Sequence, residues 1–352
     1  MKLALDAMGG DHAPSATVEG GVLFAREHPD HSLVLVGDRA LIEPLLAKHP
    51  TAPSVSVRHT TEVVGMDEHA GAAIRKKKDS SLRVCFELAR DGEVGAVVSA
   101  GNSGAVMAGA LFVLGRIKGV ERPAIAALFP ALKGPGRCLL LDAGANVDCK
   151  PSQLAQFGVM GETYVRVTRG VPRPRVGVLS NGEEDAKGTE LTRAALALLR
   201  QSGMHVLGYV EGKDIFSGEV DVVVTDGFTG NIVLKTSEGV AAGVTGLLRS
   251  AVEKAGLPAK VGALLLKPTF AGLKKVVDYA EYGGAPLLGV DGVGVIAHGR
   301  SNPRAIQNAL AAALHTAQAS LREELTAAVG RAESWLPTRV RGKGATEEPL
   351  SE

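Results

Sequence analysis

Short apolar runs, continuous rather than alternating, recur along the chain at 3–5, 33–36, 55–57, 96–98, 125–129, 138–141, 176–179, 206–210 and 222–224. A strand that is apolar at nearly every position must be covered on both faces, which is the situation of parallel strands with helices above and below. Between the runs lie helical patterns at about 15–27, 38–48, 80–91, 103–115, 151–168 and 186–202. That rhythm predicts an α/β fold, a three-layer, doubly wound and mostly parallel sheet.

The rhythm changes after Asp226. Residues 230–278 contain no convincing strand and read as a helical excursion, a long helix rich in small residues followed by shorter ones that Pro258 and Pro268 break. Strands return at 287–290 and 293–297, and a helix is expected from about 303 to 329. Residues 1–330 thus read as a single domain, and 331–352, with Pro337, Gly342, Gly344 and Pro349, as a disordered tail.

Composition narrows the function classes. The chain has 352 residues, 45% of them hydrophobic, enough for a large buried core. Its formal net charge of +1 argues against a general nucleic-acid binder, which carries a basic excess to neutralise phosphates. Cys85, Cys138 and Cys149 are too widely spaced for a zinc or redox motif, so a reducing, cytoplasmic setting fits; Asp6, Asp11, Asp142 and Asp226 could in principle collect a magnesium ion, but scattered carboxylates do not define such a site and no metal is expected. No stretch approaches the roughly 20 apolar residues that span a bilayer, and the chain enters a strand at once, without a signal segment. The protein is expected in the cytoplasm, at most lying on a membrane surface.

Open α/β sheets bind ligands where strand ends run into helix starts. Five such connections here are rich in Gly, Asn, Asp and Ser: 6–11, 99–104, 142–146, 226–231 and 297–302. Glycine permits close backbone approach, and successive amides make an anion-binding concavity. All five are expected on one edge of the sheet. The candidate phosphate ligands are Asp6, Gly9, Gly10, Gly101, Asn102, Ser103, Gly104, Asp142, Asn146 and Ser301. No nucleotide fingerprint stands where a strand meets a helix, so no nucleotide cofactor is indicated. Lys187, within 181–188, supplies a point charge for phosphate or an oxyanion; Asn231 is a donor at a helix start, and His298 a base or anion donor. Each of these has a plain alternative as a solvated lysine, a cap or a packed ring. The basic run at Arg75, Lys76 and Lys77 suits an acidic partner.

Seven blocks, read in order, resemble the bacterial acyl-carrier-protein:phosphate acyltransferases. They are Ala4-Leu-Asp-Ala-Met-Gly-Gly-Asp11, Lys76-Lys-Lys-Asp-Ser-Ser81, Ser99-Ala-Gly-Asn-Ser-Gly-Ala105, Leu141-Asp-Ala-Gly-Ala-Asn146, Asn181-Gly-Glu-Glu-Asp-Ala-Lys-Gly188, Asp226-Gly-Phe-Thr-Gly-Asn231 and Val290-Asp-Gly-Val-Gly-Val-Ile-Ala-His-Gly299 with Ser301-Asn302. Ser103 replaces a common threonine, Ala70 a frequent proline, and Asn181-Gly182 the usual Asn-Ile-Gly. The resemblance implies transfer of a long-chain acyl group from the thioester of acyl carrier protein to inorganic phosphate, without a cofactor. It also implies a homodimer with a fold similar to phosphate acetyltransferases and isopropylmalate-type dehydrogenases. The product would pass to a membrane glycerol-3-phosphate acyltransferase, with the protein peripheral to the inner face of the cell membrane. Lys187 and Asn231 are the residues that the resemblance makes most important. A dehydrogenase would instead need a nucleotide site and a metal-binding acid set, and a non-catalytic binder of phosphate or carrier protein would have no need of Lys187.

Overall fold

Each apolar run becomes a strand. The computed structural model describes residues 1–49, 54–132, 136–266 and 283–336, with Thr269 and Gly272. The strands are β1 (Lys2–Asp6), β2 (Ser32–Gly37), β3 (Val55–His59), β4 (Ala96–Ser99), β5 (Ala124–Pro130), β6 (Arg137–Leu141), β7 (Arg175–Leu179), β8 (His205–Val210), β9 (Val222–Val224), β10 (Ala285–Leu288) and β11 (Gly294–Ile296). They form one sheet in the order β3-β2-β1-β4-β11-β10-β5-β6-β9-β7-β8.

The continuous apolar pattern has the cause expected of it. Along β1 and β2, Leu3, Leu5, Leu33 and Leu35 pack with Phe24 of α1 (Ser15–Glu27) and with Ile306 and Leu310 of α10 (Pro303–Gln318). Ala4, Val34 and Val36, which alternate with them, pack on the other face with Leu82 and Phe86 of α4 (Ser81–Arg90). Each fully buried leucine or phenylalanine contributes about 1.5–3 kcal/mol. Beyond the centre of the sheet, α6 (Pro151–Arg169), α7 (Glu190–Leu199) and α11 (Leu321–Ala332) cover β6, β7 and β9. Three layers result.

Polar residues at the strand ends start the helices. Asp38 caps α2 (Arg39–Leu46), Asn102 caps α5 (Ser103–Gly109), Asp226 caps α8 (Gly227–Lys254) and Asn302 caps α10, each accepting from a backbone amide of the first turn. The sequence pattern did not reveal the short helix α3 (Ala70–Lys76). The helix expected over 303–329 is divided at Ser320, whose φ of 49° breaks the helical path. The packed body continues past residue 330, since Ala332 and Leu336 are buried; 337–352 lie outside the described residues. Among the described residues, the excursion contains α8, of 28 residues, and α9 (Leu257–Leu265). Pro258 stands inside the first turn of α9, whereas Pro268 lies outside the described residues. Only Gly227 and Gly230 of α8 are buried.

Candidate functional site

Strand direction decides which turns can meet. β1, β2, β3, β4 and β11 run parallel to one another. β10 is antiparallel to β11 and to β5, and β5 is antiparallel to β6, with which β9, β7 and β8 are parallel. The two halves of the sheet therefore point in opposite directions. The turns at 6–11, 99–104 and 297–302 thus belong to one half of the sheet, and those at 142–146, 181–188 and 226–231 to the other. The expectation that the five turns gather on one edge of a mostly parallel sheet is modified by the antiparallel pairings at β10 and β5–β6, which divide the turns between two clusters.

The first cluster is stitched tightly. Buried Asp6 accepts the Ser99 hydroxyl at 2.7 Å and the Met8 amide at 3.2 Å, and the Ser99 oxygen accepts the Gly101 amide at 3.0 Å. Burial pushes the Asp6 pKa up. The Asp11 amide donates to the Gly299 carbonyl at 2.7 Å, and that of Ala297 to Ser99 at 2.8 Å. A side chain at Gly9 would stand 2.6 Å from the Asp6 carboxylate and 2.8 Å from the Gly101 nitrogen. Gly10, at φ 104°, holds a backbone conformation that side chains disfavour. Asp6 and the two glycines thus shape the turn from beneath.

What this turn leaves open is a set of donors. The amides of Asn102, Ser103 and Gly104 have no acceptor among the described residues. The Ser301 hydroxyl is buried without a partner. The Asn102 side chain is already engaged: its oxygen caps Ala105, and its nitrogen donates to the carbonyls of Met66 at 2.7 Å and Glu68 at 3.3 Å. Its backbone, not its side chain, is available. His298 Nδ1 accepts the Arg300 amide at 3.1 Å, which places the ring proton on Nε2. Burial, reinforced by Lys235, lowers the His298 pKa and favours the neutral ring. A neutral ring with Nε2–H is a donor to an anion, not a base.

The second cluster contains a filled nest. Asp142 Oδ1 accepts the amides of Ile125, Gly144 and Ala145 at 2.9, 3.2 and 3.1 Å. Oδ2 accepts the Asn146 amide at 2.7 Å and its side-chain nitrogen at 2.9 Å. Asp142 and Asn146, expected as phosphate ligands, saturate each other, so this turn holds its own anion. Gly230 is essential to the packing, because a Cβ there would lie 1.8 Å from the Asp142 carbonyl oxygen. That contact sets the start of α8 and hence the position of exposed Asn231, which faces Gly144.

Lys187 is exposed in the loop after β7, its stem against Gly182. Two of the acids beside it are matched elsewhere, Glu183 with Lys213 at 3.3 Å and Asp185 with Arg200 at 2.7 Å, while Glu184 lies with the lysine stem against Gly182. The lysine charge has no carboxylate partner among the described residues. From Asn231, α8 runs toward the first cluster, and Glu238 lies 3.9 Å from His298. The seven residues from Asn231 to Glu238 span about 10 Å of helix. Lys187 and Asn231 therefore belong to the second cluster and Ser103, His298 and Ser301 to the first, with the first turns of α8 between them.

Of the basic run, Arg75 and Lys76 are exposed, but Lys77 bonds to Glu68 and to the Val63 carbonyl. Burial and the nearby Asp142 push the Cys149 thiol up to about 12. Among the described residues, no group of acids, histidines and cysteines has the arrangement of a metal site.

The family described as "Fatty acid synthesis protein" matches residues 1–323. A phosphate acyltransferase of Myxococcus xanthus is 68% identical, with 100% of each chain covered. That of Geotalea daltonii is 55% identical over 88% of this chain and 89% of its own. Among solved structures, a phosphotransacetylase from Streptococcus pyogenes superposes with a TM-score of 0.60 at 14% identity, covering 91% of this chain and 94% of that one. A branched-chain phosphotransacylase from Enterococcus faecalis gives 0.56 at 10% identity, covering 90% and 99%. The expected phosphate acetyltransferase-like fold is thereby established, and a sequence two-thirds identical from end to end places the activity class: the chain belongs to the phosphate acyltransferases, a family of fatty acid synthesis proteins.

Proposed function

We propose that this enzyme transfers a long-chain acyl group from the thioester of acyl carrier protein to inorganic phosphate, and that the open amides of residues 102–104 beside the unpartnered Ser301 hydroxyl hold the phosphate. A phosphate oxygen attacks the thioester carbon, the tetrahedral oxyanion collapses, and the carbon–sulfur bond breaks to release the carrier thiolate, which takes up a proton. No covalent acyl-enzyme is required. The most suggestive thiol, Cys149, is held protonated by its surroundings and is a poor nucleophile. His298 donates through Nε2 to the phosphate or oxyanion, and Lys187 and Asn231 stabilise the developing charge. Within one copy α8 brings Asn231 to about 10 Å from Glu238, itself 3.9 Å from His298, so both clusters face the start of α8, and this reading also has the protein as a homodimer. The long exposed face of α8, with Phe228, Ile232, Val240, Val244 and Leu247, is the natural contact for that second copy.

Incubating the protein with palmitoyl carrier protein and phosphate should yield acyl phosphate and an equal amount of free thiol. Thiol release without phosphate incorporation would sink the reading, and reduction of NAD by an organic acid would favour the dehydrogenase alternative. The acidic carrier protein is expected to meet exposed Arg75 and Lys76, with affinity that falls as salt rises.

No helix among the described residues is long and apolar enough to cross a membrane. Leu257, Leu264, Leu265 and Leu266 on and beside α9 are nevertheless exposed, near Lys254 and Lys260. This reading places α9 on the anionic inner face of the cell membrane, where the product passes to a glycerol-3-phosphate acyltransferase. Leu265→Glu with Leu266→Glu should abolish flotation with anionic liposomes while the dimer persists. Undiminished flotation would exclude α9 as the anchor.

A further inference from the structure

We infer that the acyl chain of the donor leaves the phosphate turn across Met66 and Phe112, and that these two residues and the small residues between them set the preference for chain length. The inference rests on the proposed transfer from an acyl thioester to phosphate held at 102–104. Such a transfer puts the acyl carbon at that turn, so the hydrocarbon must begin its path on whatever surface adjoins it.

Met66 adjoins it directly. Asn102 holds the Met66 carbonyl at 2.7 Å, and a Cβ built on Gly299 would lie 3.0 Å from the Met66 terminal methyl. The side chain, 41% exposed, therefore stands between two turns of the first cluster. Next to it lie three small residues, Ala70, Gly71 and Gly104. Gly104 faces the Ala70 methyl, and a Cβ on Gly71 would approach the Phe112 ring only to 3.9 Å. Phe112 closes the far end at 47% exposure, with the Arg75 guanidinium 5.5 Å from its ring centre.

The local backbone accounts for the outward phenylalanine. α5 passes into a π-helical turn, Ala110–Leu114, in which Ala110 and Val113 enter the core and Phe112 is turned outward. With Arg75 over one face of its ring, Phe112 still leaves apolar surface open beside the first cluster. A hydrocarbon chain covers both Met66 and Phe112 without needing a hydrogen-bond partner from either. Flexible methionine suits a ligand of variable conformation. Exposed Arg75 and Lys76 lie at the same end as Phe112, where an acidic carrier would sit over the acyl group it delivers.

Two readouts test the path. In the first, kcat/KM is compared for palmitoyl and butyryl thioesters of the carrier protein in the native enzyme and in Met66→Gln, Phe112→Gln and Gly71→Phe. The palmitoyl-to-butyryl ratio should fall by about tenfold or more, the discrimination expected from losing a few methylenes of apolar contact. A variant that merely folds poorly lowers both rates together and leaves the ratio unchanged. Ratios within about twofold of native in all three variants would overturn the inference. In the second, a palmitoyl-pantetheine thioester with a photoreactive diazirine along its chain is irradiated with the native dimer and the labelled peptides are mapped. Labelling of 63–76 and 103–114 is expected, and labelling confined to 147–150 or 227–266 would overturn the path. Failure of the native enzyme to turn over either thioester would count against the transfer reading alone, because the photolabel reports the path without turnover.

Discussion

Replacement of Lys187 by Ala lowers acyl phosphate formation by about 100-fold or more, the loss that follows removal of one preorganised donor to an oxyanion. Folding should be unaffected, because the side chain is exposed and the nearby Glu183 and Asp185 pair with Lys213 and Arg200. Lys187→Arg keeps the charge but spreads it over a planar fork, so only partial activity should return. Near-native turnover in Lys187→Ala, measured by phosphate incorporation, would remove the lysine from the mechanism.

The same variant tests how the two clusters cooperate. Gly104→Asp sets a carboxylate among the open amides of the first cluster and should repel phosphate; its Cβ would meet the Ala70 methyl at 3.2 Å and Asn102 Oδ1 at 3.3 Å, so the exposed turn must shift by a few tenths of an ångström. If each site draws its turn from one copy and its lysine from the other, a mixed dimer of Lys187→Ala and Gly104→Asp chains contains one intact site. Differently tagged chains, co-expressed and purified for both tags, should then show about half of native activity although each homodimer is inactive. A mixed dimer as inactive as its parents would place both clusters of a working site in the same copy, brought together by closure of the two halves of the sheet.

The strands were legible because a doubly covered sheet leaves a strong imprint: Leu3, Ala4 and Leu5 must all be apolar when successive side chains enter cores on opposite faces. The turns were legible as chemistry for a similar reason, since Asp6, Gly9, Asn102 and Asp226 do jobs that few other residues can do. Direction was not legible. Nothing in an apolar run such as 125–129 states which way it points, and the reversal needs, besides the local pairings β10–β11 and β5–β6, one between segments more than 100 residues apart, Leu288 with Ala124. Nor does an Asp-Ala-Gly-Ala-Asn turn reveal whether its amides await an external anion or already hold one. The presence of an aspartate at its head was the available signal, because a carboxylate two to four residues before open amides is placed to fill them. The helix α3 was missed because its seven residues are too few to display a period.

Asp142→Ala should be the most destabilising single substitution in the second cluster. It strips the acceptor from four backbone amides and from the Asn146 side-chain nitrogen, in a turn where the carboxylate is fully buried. Each unsatisfied buried donor costs about 1–3 kcal/mol, so a loss of at least about 4 kcal/mol is expected even if relaxation admits some water. That approaches the whole stability of many domains. Asp142→Asn separates charge from shape: its oxygen can still serve Ile125, Gly144 and Ala145, but its amino group then opposes the two Asn146 donors. An intermediate loss of about 2 kcal/mol follows. Urea unfolding should therefore rank Asp above Asn above Ala, and formate, a free carboxylate small enough for the emptied nest, should raise the stability of Asp142→Ala more than that of the native protein. If the alanine variant unfolds within about 1 kcal/mol of native, the five hydrogen bonds do not stabilise the turn and the nest is open to phosphate after all. If instead the predicted order holds, the turn most similar in composition to a phosphate cradle is a structural anchor. Its function is then to set Gly230 against the Asp142 carbonyl, and through it the start of α8 and the position of Asn231.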